Sequence, residues 1–389
     1  MRSTLLLAAA LTLPACAASD EAASAQTADE ARTSGPDAPG ASPFEATPVA
    51  TLNEPWAMTF LPDGRLLVTE KGGTLRVVGQ DGDVSGPVSG VPEVDYGGQG
   101  GLGDVVLSPD YEETGLVYLT FAEAGDGDTR GAAMARGRLD PDVLALTEVE
   151  TLWRQMPKVT GRGHYGHRMA FSPDGQYLFV TSGERQKFDP AQDLSTNLGG
   201  VLRLNPDGSA AAGNPFANEG SPADERYTMG NRNPLGLAFD ADGFLWEHEM
   251  GPKGGDEFQR VEAGTNYGYP IVSNGDHYDG RVIPDHDTRP GMFRAPDESW
   301  NPVISPAGMV IYQGEGFADW RGRALIGGLS SEALVVVTFD CPDRGREICE
   351  ETRYDMGARI REVEEGPDGS VWLLEDGEAG RLLRLTPTG

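Results

Sequence analysis

The side chains best placed to do chemistry stand in short polar runs just ahead of apolar stretches. His164, His167 and Arg168 occur in GRGHYGHRMAFSPDG, Arg232 and Asn233 in GNRNPLGLAF, and Arg359 and Arg361 in GARIREVEEGPDG. An imidazole exchanges protons near neutral pH, and it becomes a good base when a second group fixes its tautomer. Glu184, in VTSGERQ after the strand pair that follows His164, can return to orient that ring. The other reading of a histidine at a strand start is an ordinary, satisfied polar residue. Arg359 and Arg361 are two apart, so on a strand both guanidinia face one side. In a chain with Lys+Arg 31 and Asp+Glu 61, most arginines pair with the protein's own carboxylates. Three of them at strand starts near an oriented histidine argue instead for an anionic ligand carrying several carboxylates or phosphates. Gln99, in GGQGGLGDVVLSPDY, is a weaker candidate, since a glutamine among glycines also reads as a turn residue.

These residues must be positioned by something repeated. An apolar residue, a Pro-Asp-Gly-like turn and an alternating apolar run recur from Phe60, Leu107, Phe171, Phe239, Tyr312 and Glu365. Glycine accepts the positive φ of a tight hairpin turn, and the alternation is strand periodicity. With 53 glycines and 28 prolines, six such units predict an all-β, six-bladed β-propeller over 44–389. A pair of β-sandwiches would not need the same hairpin six times. In a propeller, polar residues flanking the repeats converge on one mouth although they are far apart in sequence.

Charge and termini bound the function. A formal charge of −30 repels nucleic acid, so no nucleic-acid partner is expected. Residues 1–16, MRSTLLLAAALTLPAC, carry an early Arg, an apolar run too short to span a bilayer and small residues before Cys16. They resemble a lipoprotein signal with lipidation at Cys16; the alternative is a secretory signal cut near Ala18. Residues 17–43 are acidic and rich in Ala and Ser, as in a flexible tether. The expected location is the periplasmic face of the cell envelope, with membrane contact only through the lipid. In such an oxidising compartment Cys341 and Cys349 are expected to form a disulfide.

The ordered series GQGGLGDVVLSPDY, GHYGHRMAFSPDG, GNRNPLGLAF, GPKGGDE, TNYGYP and RIREVEEGPDG resembles the soluble sugar dehydrogenases that depend on pyrroloquinoline quinone (PQQ), most closely their aldose branch. The likeness runs from about Thr51 to Leu385. It implies that Gln99, Arg232, Asn233, Tyr278, Arg359 and Arg361 contact the quinone and that His164 is the catalytic base, with no such role for His167. It implies a Ca2+ ion beside the quinone, held by the carbonyls of Gly251 and Pro252, which with Arg232 polarises the quinone. A further calcium would be held by Glu257 and the carbonyl of Tyr267. The expected reaction is oxidation of an aldose to a lactone, with electrons leaving to a separate acceptor, a cytochrome or a quinone, because no Cys-x-x-Cys-His haem motif is present.

Two positions depart from the pattern. Ser330, in GGLSSEA, replaces a lysine that contacts the cofactor, and Met250 replaces Gln or His before Gly-Pro. Losing a charge-assisted bond costs on the order of 1.5–3 kcal/mol if nothing replaces it. Two other classes therefore stay open: a metal-dependent lactonase-type hydrolase on a similar scaffold, and a non-catalytic propeller that binds sugars or envelope proteins.

Overall fold

Each repeat folds as an antiparallel hairpin, and further strands extend it into a small sheet. The computed structural model describes residues 42–339 and 348–388. The leader, most of the tether, Cys16 and Cys341 lie outside the described residues, whereas Cys349 is disulfide-bonded. The described chain forms six sheets of three or four strands, the blades of a β-propeller. Blade 1 comprises Pro55–Phe60, Leu66–Glu70 and Thr74–Val78; blade 2 Leu102–Leu107, Leu116–Ala124, Arg130–Asp140 and Ala145–Arg154; blade 3 Gly166–Phe171, Leu178–Ser182 and Gly200–Leu204. Blade 4 comprises Pro234–Phe239, Leu245–Glu249, Asp256–Arg260 and Glu298–Trp300; blade 5 Pro306–Ile311, Ala324–Gly328, Ala333–Thr338 and Glu350–Asp355. Blade 6 takes Ile360–Glu365, Val371–Glu375 and Gly380–Pro387 from the end of the chain and Phe44–Leu52 from its beginning. That last pairing, from Phe44 opposite Pro387 to Leu52 opposite Gly380, closes the ring.

Four of the six turns are the tight ones expected, with Gly64, Gly175, Gly243 and Gly369 at φ of 86, 70, 83 and 77°. The other two differ. In blade 2 the connection holds a short helix, Tyr111–Thr114, and in blade 5 a 3-10 turn, Ala318–Trp320. Both connections are longer, and the extra residues fold locally without altering the pairing of the strands they join.

The first strand of every blade packs against the first strands of its neighbours, making a ring around the axis. Six apolar clusters fill the spaces between adjacent blades. Leu66 and Val68 face blade 6 while Leu67 faces blade 2, so one strand serves two interfaces through its alternation. This is why strands such as Leu66–Glu70 and Val371–Glu375 are buried along their whole length. On the axis, Arg168 lies 4.2 Å above the Trp56 ring, donates to the Leu235 carbonyl at 2.8 Å and pairs with Glu362 and Asp104. His167 stacks on Trp56 and meets the Thr120 hydroxyl at 3.0 Å, so it is a satisfied core histidine.

Gln155 ties this scaffold to the loops above it. Its buried amide donates to the Tyr165 carbonyl (3.0 Å), the Ser182 hydroxyl (2.9 Å) and the Gly183 carbonyl (3.2 Å), and its oxygen accepts the Ala132 N–H (2.7 Å). A Gln155→Leu change is expected to destabilise the protein by about 1–3 kcal/mol for each group left unpaired. Denaturant unfolding would show a lower midpoint with an unchanged slope; an unchanged midpoint would contradict this assignment.

Candidate active site

Antiparallel pairing decides where the candidate residues meet. The start of each first strand lies opposite the end of the second: Pro55 faces Glu70, Gly166 faces Ser182, Pro234 faces Glu249, Pro306 faces Gly328 and Ile360 faces Glu375. Residues that lead into first strands therefore share one mouth with residues that leave second strands. His164, Arg232, Asn233 and Arg359 are of the first kind; Glu184, Met250, Gly251, Pro252 and Ser330 are of the second. The glycine turns lie at the opposite end.

His164 sits in left-handed backbone, φ 51°, as do Arg185, Gln186 and Phe188 on the loop beside it. Such clusters of unfavourable backbone persist only where the surroundings enforce them. The enforcement is visible. Arg185 is fully buried, lies 3.8 Å from the Tyr165 ring and donates to the carbonyls of Gly163, Arg130 and Gly161 at 2.9, 2.7 and 2.7 Å. Gly183 passes so close beneath that a Cβ there would lie 2.1 Å from the His164 carbonyl. Gln99, itself exposed, accepts the His164 N–H through its side-chain oxygen at 2.7 Å.

The structure brings His164 and Glu184 together: Nδ1 of the imidazole is hydrogen-bonded to Oε1 of the carboxylate. Glu184 Oε2 accepts the backbone N–H of Lys187 and of Phe188, the latter at 2.6 Å, so the carboxylate cannot turn away. A carboxylate at Nδ1 keeps the proton there and leaves Nε2 as the basic nitrogen. Burial, reinforced by the positive charge of Arg232, lowers the His164 pKa to about 4 against the opposing pull of Glu184. Burial alone would raise Glu184; its bond to His164 and the Arg232 charge outweigh that and leave it below an ordinary carboxyl.

Arg232 is joined to this pair through its own carbonyl, which accepts the Glu184 N–H at 2.9 Å. Its guanidinium donates to the Met250 carbonyl at 2.8 Å and lies 5.8 Å from the Tyr269 ring. Its Nε is buried without a hydrogen-bond partner among the described residues, an unspent donor that suits an anionic ligand. The Arg232 and Asn233 N–H groups both end on Glu249 Oε2, and Asn233 Oδ1 accepts the Gly166 N–H at 3.2 Å. Gly251 donates to Asp256 at 2.9 Å, while the Gly251 and Pro252 carbonyls accept no hydrogen bond from the described residues. Unpaired backbone carbonyls are the hard oxygen donors that calcium takes.

Across the mouth, Arg359 and Arg361 share one carboxylate, Asp376, at 2.8 Å each. Burial alone would raise Asp376, but Arg361 and Arg359 hold it at about 2. Two guanidinia against one carboxylate leave one positive charge in surplus. Ser330 is buried nearby, its hydroxyl 3.3 Å from the Val303 carbonyl, and Arg359 reaches the carbonyl of the preceding Leu329 at 3.4 Å. Tyr278 is half exposed on the insertion between the third and fourth strands of blade 4, within electrostatic reach of Arg232. Glu257, opposite Glu249 on the third strand, and Tyr267, on the loop after that strand, are buried, and His286 packs against both.

Several contributors escaped sequence reasoning. Glu249 and Asp376 occupy, in blades 4 and 6, the place Glu184 holds in blade 3, at or just past the end of the second strand. That equivalence was a signal that could have found them. Gln155 and Arg185 gave none, because nearly all their partners are backbone groups distant in sequence. Phe188, whose ring meets His277 edge-on at 5.1 Å, was also not anticipated.

The electrostatics set an expected titration. In the cofactor-free protein His164 stays neutral down to about pH 4, because burial and Arg232 oppose its charged form. Removing the favourable carboxylate with Glu184→Gln should lower that value further, and removing the repulsion with Arg232→Met should raise it. Histidine NMR titrations would check this, and an imidazole protonating near 6.5 in the unmodified protein would refute it.

Comparison with known proteins gives the family and the fold. The glucose/sorbosone dehydrogenase family model matches residues 52–384. The chain is 38% identical over 344 residues to aldose sugar dehydrogenase YliI of Escherichia coli strain K12, covering 86% of this chain and 91% of that one. The crystal structure of the soluble aldose sugar dehydrogenase from Escherichia coli in its apo form superposes with a TM-score of 0.84 at 36% identity, covering 89% of this chain and all (100%) of that one. A PQQ-bound aldose sugar dehydrogenase from Streptomyces coelicolor gives 0.71 at 28% identity, covering 90% and 99%. With a mouth that gathers a neutral buried histidine and three arginines, and a family model spanning almost the whole propeller, this chain belongs to the glucose/sorbosone dehydrogenase family, in its aldose sugar dehydrogenase branch.

Proposed function

We propose that the protein oxidises aldoses at the anomeric carbon to lactones, using PQQ and calcium, with His164 as the general base. The observation that carries the reading is the His164–Glu184 pair, a buried neutral imidazole with its tautomer fixed, beside an arginine with an unspent donor. When bound, PQQ supplies the acceptor for the hydride. The chain's own residues do the rest. Nε2 of His164 takes the proton of the anomeric hydroxyl as the hydride leaves the same carbon, and Glu184 stabilises the imidazolium that forms. Arg232, with Asn233 and Gln99, would hold the cofactor at the base, and the surplus charge of Arg359 and Arg361 would meet its carboxylates. The carbonyls of Gly251 and Pro252 would hold calcium. Tyr278 would close one side of the mouth from the blade 4 insertion.

The leader sequence supports export to the periplasmic face of the envelope with a lipid at Cys16, and electrons would pass to a separate cytochrome or quinone. Glucose-type sugars are the substrates this reading expects, from the likeness to the aldose branch.

Adding PQQ and calcium to the purified protein, then an aldose with a dye acceptor, should give dye reduction. His164→Ala is expected to lower turnover by about 10²–10⁴-fold, the usual worth of a positioned base, while quinone binding persists. Unchanged turnover in that variant would remove His164 from the mechanism. Ser330→Lys should tighten PQQ by about 1.5–3 kcal/mol, since it restores a charged donor. That corresponds to about 10–150-fold in Kd, readable by fluorescence titration.

A further inference from the structure

The family resemblance implies two calcium positions, and the donor sets at the two are unlike. At the mouth, the Gly251 and Pro252 carbonyls accept no hydrogen bond from the described residues. At Glu257 and Tyr267 the case differs: the Tyr267 carbonyl accepts a hydrogen bond from Nε2 of His286 at 2.9 Å, and Nδ1 of the same ring lies 4.0 Å from Glu257 Oε1. A carbonyl can only accept, so Nε2 carries the proton and cannot bind a metal. Calcium needs six to eight oxygens at about 2.3–2.6 Å, whereas the imidazole takes one of the two lone-pair directions of the Tyr267 carbonyl and stands between it and Glu257.

The ring is held where it is. His286 is 7% exposed, its backbone N–H donates to Asn274 Oδ1 at 3.4 Å, and it opens the 3-10 turn His286–Thr288. Asn274 is fixed in turn by its amide to the Ser299 hydroxyl at 3.0 Å. The loop so pinned then pairs Asp276 with Lys253 through two backbone hydrogen bonds of 2.8 and 3.0 Å, next to Gly251–Pro252, and continues to Tyr278 at the mouth. Among the described residues no group of three or more His, Cys, Asp or Glu converges as a metal site.

We propose that His286 replaces the second cation of the fold. Its N–H takes over the Tyr267 carbonyl and its ring fills the space before Glu257, so a side chain rather than an ion fastens the blade 4 insertion. The inference concerns the third strand and the insertion of blade 4 and does not depend on the proposed reaction.

Bound calcium and zinc, measured by mass spectrometry after equilibrium dialysis, test it in the wild type, Glu257→Gln and His286→Ala. The wild type and Glu257→Gln are expected to hold the same number of calcium ions and to show the same change in Tm when calcium is chelated. His286→Ala is expected to melt lower and to regain part of that loss with calcium, a recovery absent from the double variant with Glu257→Gln. A calcium equivalent present in the wild type and missing from Glu257→Gln would overturn the proposal. So would zinc retained by the wild type and lost from His286→Ala. Calcium held at Gly251 and Pro252 cancels in the comparison, so failure of the proposed function and failure of this inference give different results.

Discussion

The constraint on which this molecule depends is the antiparallel hydrogen-bond ladder between the first two strands of each blade. It puts the beginning of one strand beside the end of the next, six times around an axis. Every residue with a candidate role at the mouth is therefore on the same face, although Gln99 and Asp376 are separated by most of the chain. The opposite face receives the turns, where glycines accept positive φ and a longer connection can be tolerated. The axis between the faces is filled by Trp56, His167 and Arg168, which separate the mouth from a cavity of about 320 Å3 on the turn side.

Burial then sets the chemistry. The same desolvation that keeps His164 neutral raises Glu249 and Asp256 to about 7 on the neighbouring blade. Those carboxylates receive backbone N–H groups from Arg232, Asn233, Gly251 and Ser305, so their work is to fix loops. Hydrogen bonds that immobilise a loop also keep a ring in place, and the left-handed backbone at His164 shows how tightly that is done. Met250, a departure from the family pattern, still gives its carbonyl to Arg232. What it lacks is a polar side chain, and its own packs partly buried against the apolar cluster between blades 1 and 2.

The overall charge of −30 hides a local inversion. The mouth gathers Arg232, Arg359 and Arg361, with Glu184 paired to His164, Asp376 held between two of the arginines and Glu249 tied to backbone N–H groups. A neutral sugar is indifferent to the outer field. A multiply anionic ligand would be repelled by that field at long range and attracted at short range by the guanidinia, of which Arg232 is buried and Arg359 half exposed. Pairing Arg359 and Arg361 with Asp376 means that the expectation of internal ion pairs and that of a cationic site both describe the same two residues.

The repeat of glycine turns and alternating strands determined the fold, because strand periodicity and turn chemistry are local properties of a chain. The ordered motifs likewise determined the family and most of the mouth, since a propeller assigns each repeat a fixed place. Tertiary structure alone decided which charges met. Asp376 joined the arginine pair because the second strand of blade 6 ends beside them. Gln155 and Arg185 became clamps because distant carbonyls came within reach. His286 came to rest on the Tyr267 carbonyl because an irregular insertion folds back across blade 4. Such contacts depend on the path of the chain through space, and no period or spacing in the sequence encodes them.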